Sequence, residues 1–292
     1  MTTPHRSPLP LINPLHNFVL FTNAKCGGTT MKAWFLQTLD RDRSLSNPVS
    51  ALRHFGPGFA LRWYLDDQRF RSMSASAICE STEVLRRFIT FYRNAYSARH
   101  MAEIGTNGMF RFAVVRDPYD RIVSGFVDKF CGDDLQQPWV QEIVNVVAAK
   151  NGGRRSVSFR QFMDYLSTAA DRDLNAHWRR QTYVLDDVDL DAFVRVESLS
   201  AEVAAIEQRL GLSHDPAVLR KRQDNVYLQD SREPTSNAGF CGDVANDELM
   251  RIRSSAGAFP VKSSFFDRQT REQTERVYLK DFERLPYQRI RE

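Results

Sequence analysis

The chain has 292 residues, 42% of them apolar, and its 40 basic and 36 acidic side chains leave a formal charge of only +4. A core of that size suits one large α/β domain with insertions, while so small a net charge excludes a general polyanion binder; a role with nucleic acid needs a local basic patch. No apolar run approaches the ~20 residues of a membrane span, and Cys26, Cys79, Cys131 and Cys241 are too few and too scattered for a disulfide-stapled fold or a CxxC metal site, so free thiols are expected.

Residues 1–14 open with Met1-Thr2-Thr3-Pro4 and continue through Pro8 and Pro10. They lack the apolar core of a signal peptide and read as a mobile, proline-stiffened lead-in, followed by a single domain over 15–292. Phe18 to Phe21 is the first strand. It feeds Asn23-Ala24-Lys25-Cys26-Gly27-Gly28-Thr29-Thr30, a tight loop ahead of a helix expected over Lys32 to Leu39. The glycines let the backbone approach a ligand closely, and the unpaired N–H groups at the helix start point at whatever anion sits there. Lys25 adds a full positive charge.

Pro48 to Trp63, rich in Gly, Pro and aromatics, reads as irregular, and Thr82 to Met101 as helical. Phe110 to Val115 is a second strand ending in Arg116-Asp117-Pro118-Tyr119-Asp120-Arg121. Asp117 suits an N-cap and Pro118 the first helical position, after which Tyr119, Ile122, Val123, Phe126 and Phe130 recur at helical intervals. Ser124 stands two turns beyond Asp117 on nearly the same azimuth at roughly 100° per residue. Its hydroxyl and the Arg116 guanidinium therefore converge near the strand-to-helix junction, a pair that suits a terminal phosphate.

Residues 151–156 form a loop, Phe159, Phe162, Met163 and Leu166 mark an amphipathic helix, and Ala192 to Val196 is a further strand with a helix over Ala201 to Leu210 that Gly211 stops. The stretch 229–243 reads as a long polar loop, and Thr270 to Phe282 as a last helix offering Val277, Leu279 and Phe282 to the core. Strand-helix alternation of this kind predicts a mainly parallel sheet covered on both faces.

The Lys25 loop is not a Walker A motif, because its lysine precedes the glycines and its hydroxyls follow them. The order instead resembles the 5′-phosphosulfate loop of sulfotransferases that use 3′-phosphoadenosine 5′-phosphosulfate (PAPS). Val115-Arg116-Asp117-Pro118-Tyr119-Asp120-Arg121-Ile122-Val123-Ser124-Gly125-Phe126 likewise resembles the 3′-phosphate segment of the carbohydrate sulfotransferases, the family-2 group. Asn175 to Gln181, Phe193 to Leu199 and Tyr278 to Phe282 look like the same family's later landmarks, so the likeness runs from about Phe18 to Tyr287. Asn23-Ala24 stands where relatives commonly carry a proline before the lysine.

The resemblance implies a P-loop-like three-layer α/β fold with a central sheet flanked by helices. It also implies a sulfotransferase domain that moves the sulfuryl group of PAPS to an acceptor hydroxyl, of a carbohydrate by family, with no metal. Lys25, Cys26, Gly27, Gly28, Thr29 and Thr30 would hold the 5′-phosphate of PAPS, and Arg116 with Ser124 the 3′-phosphate. Such chemistry rests on positioning and on neutralising charge at the leaving phosphate, which is Lys25's catalytic role.

A sugar hydroxyl needs a base, and His177, beside Trp178, is the first candidate; His54, His100, Glu80 and Glu103 stay open. Arg154-Arg155, Arg179-Arg180 and Arg220-Lys221-Arg222 would steer anions if gathered near the site. Eukaryotic relatives of this kind are typically anchored through an N-terminal membrane helix, so its absence implies a soluble intracellular enzyme or a trimmed chain, and the first, in the cytoplasm, is the expectation. Two other readings remain: a P-loop-type kinase using ATP, and a nucleotide-binding module without an effective base.

Overall fold

The computed structural model describes residues 9–39, 45, 47–65, 70, 73–101, 108–213, 219 and 239–290. Its elements in chain order begin with β1 (Leu11–Asn13), β2 (Phe18–Thr22), α1 (Gly28–Thr38), α2 (Pro48–Leu65), α3 (Ala75–Glu80), α4 (Thr82–Tyr92) and β3 (Phe110–Val115). They continue with α5 (Pro118–Phe130), α6 (Pro138–Lys150), α7 (Phe159–Thr168), β4 (Ala192–Arg195), α8 (Leu199–Leu210), α9 (Asn246–Ala256), α10 (Arg268–Val277) and α11 (Leu279–Arg284). The described residues group into two compact units, one drawn from Ser7–Val115 and Leu185–Arg222, the other from Arg116–Val184 and Gln223–Glu292.

The first unit holds the sheet, in the order β1-β2-β3-β4. β2, β3 and β4 run parallel, with Thr22 opposite Val114 and Val115 opposite Arg195. β1 pairs antiparallel to β2 and lies within the expected lead-in. Its apolar Leu11 and Ile12 are buried, and Asn13 locks it: the carboxamide oxygen accepts from Leu15 N–H (2.9 Å) and His16 N–H (3.2 Å) while Nδ2 donates to Thr38 Oγ1 (3.0 Å). Phe18, Leu20, Phe110 and Phe112 share one face through this register, and Trp34 of α1 lies on it, 5.5 Å from Phe18 and 6.0 Å from Phe112 between ring centroids. The Trp34 indole N–H donates to Glu207 of α8 at 2.8 Å, which brings α1 and α8 onto that same face.

Pro48 to Trp63 is helical rather than irregular. α2 runs through it with a break at Gly56, whose φ of 78° only glycine adopts without strain and which lets Pro57 start a second helical stretch. The aromatics that made the segment look irregular are its core: Phe55, Phe59 and Trp63 pack on Tyr92, Tyr96, Phe88 and Phe91. The helix expected over Thr82 to Met101 is present as α4, a π-helical segment Arg93–Ser97 and a closing turn Ala98–His100.

The second unit is helical and packs around α5, whose Ile122, Val123, Phe126 and Phe130 join Phe159, Phe162, Met163 and Trp178 in one buried cluster. Asp117 caps α5 and Pro118 stands at its first turn, as the sequence predicts. Ser158 and Gln161 form a capping box on α7. The last helix is split at Tyr278 into α10 and α11, so Tyr278 and Asp281 are buried while Leu279, expected in the core, is 40% exposed. All four cysteines are free thiols, and among the described residues no helix is long and apolar enough to cross a membrane.

Candidate active site

Asn23 O accepts from Cys26 N–H at 3.3 Å, closing a turn whose third residue is Lys25 with φ of 65°. That left-handed value is the i+2 geometry of a type II turn, where glycine is the usual occupant. A lysine held there at energetic disadvantage is a mark of functional backbone. Cys26 is fully buried, its Sγ–H donating to Ala24 O at 3.6 Å, so its side chain shapes the loop from inside.

Gly27 is the N-cap of α1, again left-handed at 63°, and lacks a side chain to accept from the first turn. α1 therefore starts at Gly28, four residues earlier than expected. Its leading N–H groups, with Thr29 and the largely buried Thr30 beside them, open toward the loop. A Cβ on Gly27 would lie 3.7 Å from Val196 and 3.9 Å from Leu199, so the Phe193 to Leu199 landmark backs the loop. Asn23 Nδ2 is buried with no partner. Lys25, the uncapped helix start and this orphaned donor form the chemistry of an anion cradle and fit a phosphate or phosphosulfate group.

The second unit carries the other predicted residues. The Arg116 peptide is clamped by Gln181, whose Oε1 accepts from Arg116 N–H (2.9 Å) and whose Nε2 donates to Arg116 O (2.8 Å). The Arg116 guanidinium stands 3.8 Å from Asp120, which also pairs with Lys262. Ser124 lies on α5, 8% exposed.

Gln181 is itself anchored. Asp281 accepts from Gln181 N–H, Thr182 N–H and the Thr182 hydroxyl, each at 2.8 Å. Burial holds the Asp281 carboxyl above the usual carboxylate range, against those hydrogen bonds and the nearby Arg121. Sequence reasoning quoted Gln181 and Asp281 only within landmarks, because nothing local announces that residues 65 and 100 positions apart will meet.

His177 sits on a turn strapped to α5: Arg121 donates to Ala176 O at 2.9 Å, and Gly125 gives the room, since a Cβ there would meet His177 O at 3.2 Å. The ring lies parallel to Trp139 at 5.5 Å, with Nδ1 2.6 Å from Asn175 Oδ1. An oxygen acceptor at that distance places the proton on Nδ1 and makes Nε2 the basic nitrogen of the neutral ring. Among the alternatives, His54 and Glu80 are exposed, His100 has Nδ1 3.0 Å from Tyr96 O, and Glu103 lies outside the described residues.

Arg179 and Arg180 are not the expected basic patch. Arg179, 3% exposed, donates to Leu174 O and Arg172 O, and Arg180 binds Asp171 and Thr182. Arg154 and Arg155 are exposed, while 220–222 and the 229–238 part of the polar loop lie outside the described residues.

Lys32, read in the sequence only as the start of a helix, is half-buried on α1, and burial first, then Arg93 and Arg86, pull its pKa from 10.5 down to about 8. The unfolded chain then holds a proton that the folded one releases, so folding stability is expected to rise as pH goes from about 8 to about 10.5. Urea unfolding of the wild type and of Lys32→Met across that range checks this; the rise disappears in the variant.

A model of the Sulfotransferase family matches residues 10–288. Among curated relatives, carbohydrate sulfotransferase 10 of Xenopus laevis is 28% identical over 138 residues, 41% of this chain and 38% of that protein. Carbohydrate sulfotransferase 12 of Xenopus laevis is 28% identical over 154 residues (46% and 36%), and the human carbohydrate sulfotransferase 10 is 31% identical over 74 residues (24% and 19%). The chain thus aligns with little more than a third of the length of the two Xenopus relatives and about a fifth of the human one, and no solved structure matches it significantly. With the left-handed glycine loop that starts α1 after β2, the capped Arg-Asp-Pro helix after β3 and a family match over nearly all of its length, this chain belongs to the Sulfotransferase family.

Proposed function

We propose that this protein transfers the sulfuryl group of PAPS to a hydroxyl of a carbohydrate acceptor, through a P-loop-like arrangement. The observation that carries the reading is the parallel pairing of β2 with β3, Thr22 opposite Val114, by which the chain leaves both strands at one edge of the sheet. The Lys25 loop begins at that edge after β2, and Arg116 is the first residue after β3. The relatives' names, carbohydrate sulfotransferases 10 and 12, support the acceptor class.

PAPS supplies an activated sulfuryl group whose S–O bond to phosphate breaks as an acceptor oxygen bonds to sulfur. Lys25 and the first-turn N–H groups of α1 hold the 5′-phosphate and stabilise the charge that grows on it. Thr29 and Thr30 add hydroxyl donors. Arg116, fixed by Gln181, and Ser124 hold the 3′-phosphate. His177 takes the acceptor's proton on Nε2, oriented by Asn175.

Calorimetry with 3′,5′-ADP and with ATP separates this reading from a kinase, because a site that uses Arg116 for a 3′-phosphate prefers the former. Binding of 3′,5′-ADP at least tenfold tighter is the expected result, followed by transfer of labelled sulfate to members of a glycan panel. Preference for ATP would end the proposal.

A further inference from the structure

Arg93 opens the π-helical segment, a rare backbone form that recurs at functional sites. Its Nη2 donates to Thr22 Oγ1 at 3.0 Å, at the end of β2, while its Nε is buried with no partner. Lys32 lies one turn beyond Gly28 on α1, the helix that packs against α4, whose C-terminal end leads into Arg93. Arg93 is close enough to depress Lys32, and burial brings Arg93 itself down to about 10. Arg86, the third cation nearby, is answered by Glu83 at 2.9 Å. Neither Lys32 nor Arg93 has a carboxylate partner among the described residues.

Folding gains nothing from two neighbouring, desolvated like charges; an anion that enters between them does. Tyr92, the residue before Arg93, donates its hydroxyl to Ile12 O of β1 at 2.6 Å, so this pair flanks β2 on the β1 side, away from β3 and the exit to Arg116. β3, from whose end the chain leaves toward the segment proposed for the donor's 3′-phosphate, lies on the opposite side of β2. We propose that Lys32 and Arg93 form an anion subsite for the acceptor, which takes a carboxylate or sulfate group carried by the sugar. The identity of that ligand as acceptor rests on the sulfotransferase reading; the subsite itself does not.

The full chain is compared with Lys32→Met, Arg93→Met and the charge-keeping Arg93→Lys. Initial rates are taken with a uronate-bearing glycan, the same glycan after carboxyl reduction and a sulfated neutral glycan; 3′,5′-ADP binding is measured by calorimetry, and thermal midpoints with and without inorganic sulfate. Each Met variant is expected to raise the KM for the anionic glycan it normally grips about 10–100-fold, the range for losing a charged hydrogen bond. The KM for the reduced glycan and the 3′,5′-ADP affinity stay within twofold, Arg93→Lys keeps part of the function, and the ligand-free midpoint of Lys32→Met rises. The two anionic glycans tell carboxylate from sulfate. A tenfold fall in 3′,5′-ADP affinity would hand the pair to the donor, and equal losses on charged and reduced glycans would make it structural; either overturns the assignment. If the wild type transfers no sulfate to any glycan, the sulfotransferase reading fails and the sulfate-induced midpoint shift decides: a smaller shift in both Met variants than in the wild type supports the subsite, an equal shift in all proteins overturns it.

Discussion

Lys25→Ala is expected to lower sulfuryl transfer about 10²–10³-fold, the usual consequence of removing one preorganised contact from a site of developing charge, or roughly 2.7–4 kcal/mol of barrier. The loss falls on kcat more than on the KM for PAPS, because the charge on the leaving phosphate grows only in the transition state. Lys25→Gly is the sharper test. A glycine relaxes the left-handed backbone that Lys25 occupies at φ of 65°, so this variant is expected to be as stable as the wild type or slightly more, yet as inactive as Lys25→Ala. A lysine that served only the fold would give the opposite result, and near-normal turnover in either variant would remove Lys25 from the mechanism. Single-turnover kinetics with labelled PAPS, alongside thermal unfolding, provide both readings.

Asp281→Ala is expected to destabilise the protein by about 3–5 kcal/mol, the range for removing one partner of a buried charged network. The carboxylate is fully buried and answers two peptide N–H groups and a hydroxyl at 2.8 Å, and its removal leaves those donors without their acceptor. The effect does not stop at stability. Gln181, whose backbone Asp281 holds, is the clamp on the Arg116 peptide, so the surviving folded fraction is expected to bind 3′,5′-ADP more weakly while the Lys25 loop is untouched. Urea unfolding gives the first number and calorimetry well below the unfolding midpoint the second. A loss under about 1 kcal/mol, the net worth of an ordinary hydrogen bond, would show that the network is not what fixes this corner.

The local signals were strong where a single residue type solves a local problem. Asp117 and Pro118 announced the start of α5, Gly211 the end of α8, and Gly27-Gly28 a tight loop ahead of a helix, each through backbone preferences that act within a few residues. Local signals misled at α2, where Gly, Pro and aromatics suggest a loop but Gly56 and Pro57 merely break a helix whose aromatics are held by α4 and the π-helical segment. They failed at Tyr278 as well, since the periodicity of α10 and α11 carries no mark of which residue the core will take.

The sequence by itself determined that β2 ends in a tight glycine-bearing turn before a helix, that β3 ends in an arginine before a capped helix, and that the strands between the helices form a mainly parallel sheet, because these follow from dihedral preference, capping and hydrophobic period. Only the tertiary structure decided that Gln181 grips Arg116, that Asp281 holds Gln181, that Arg179 is buried and bound to carbonyls, and that Lys32 and Arg93 share one desolvated place. Contacts across tens of residues are selected by packing the whole chain at once, and a charge acquires its character from the dielectric and the neighbours that packing supplies.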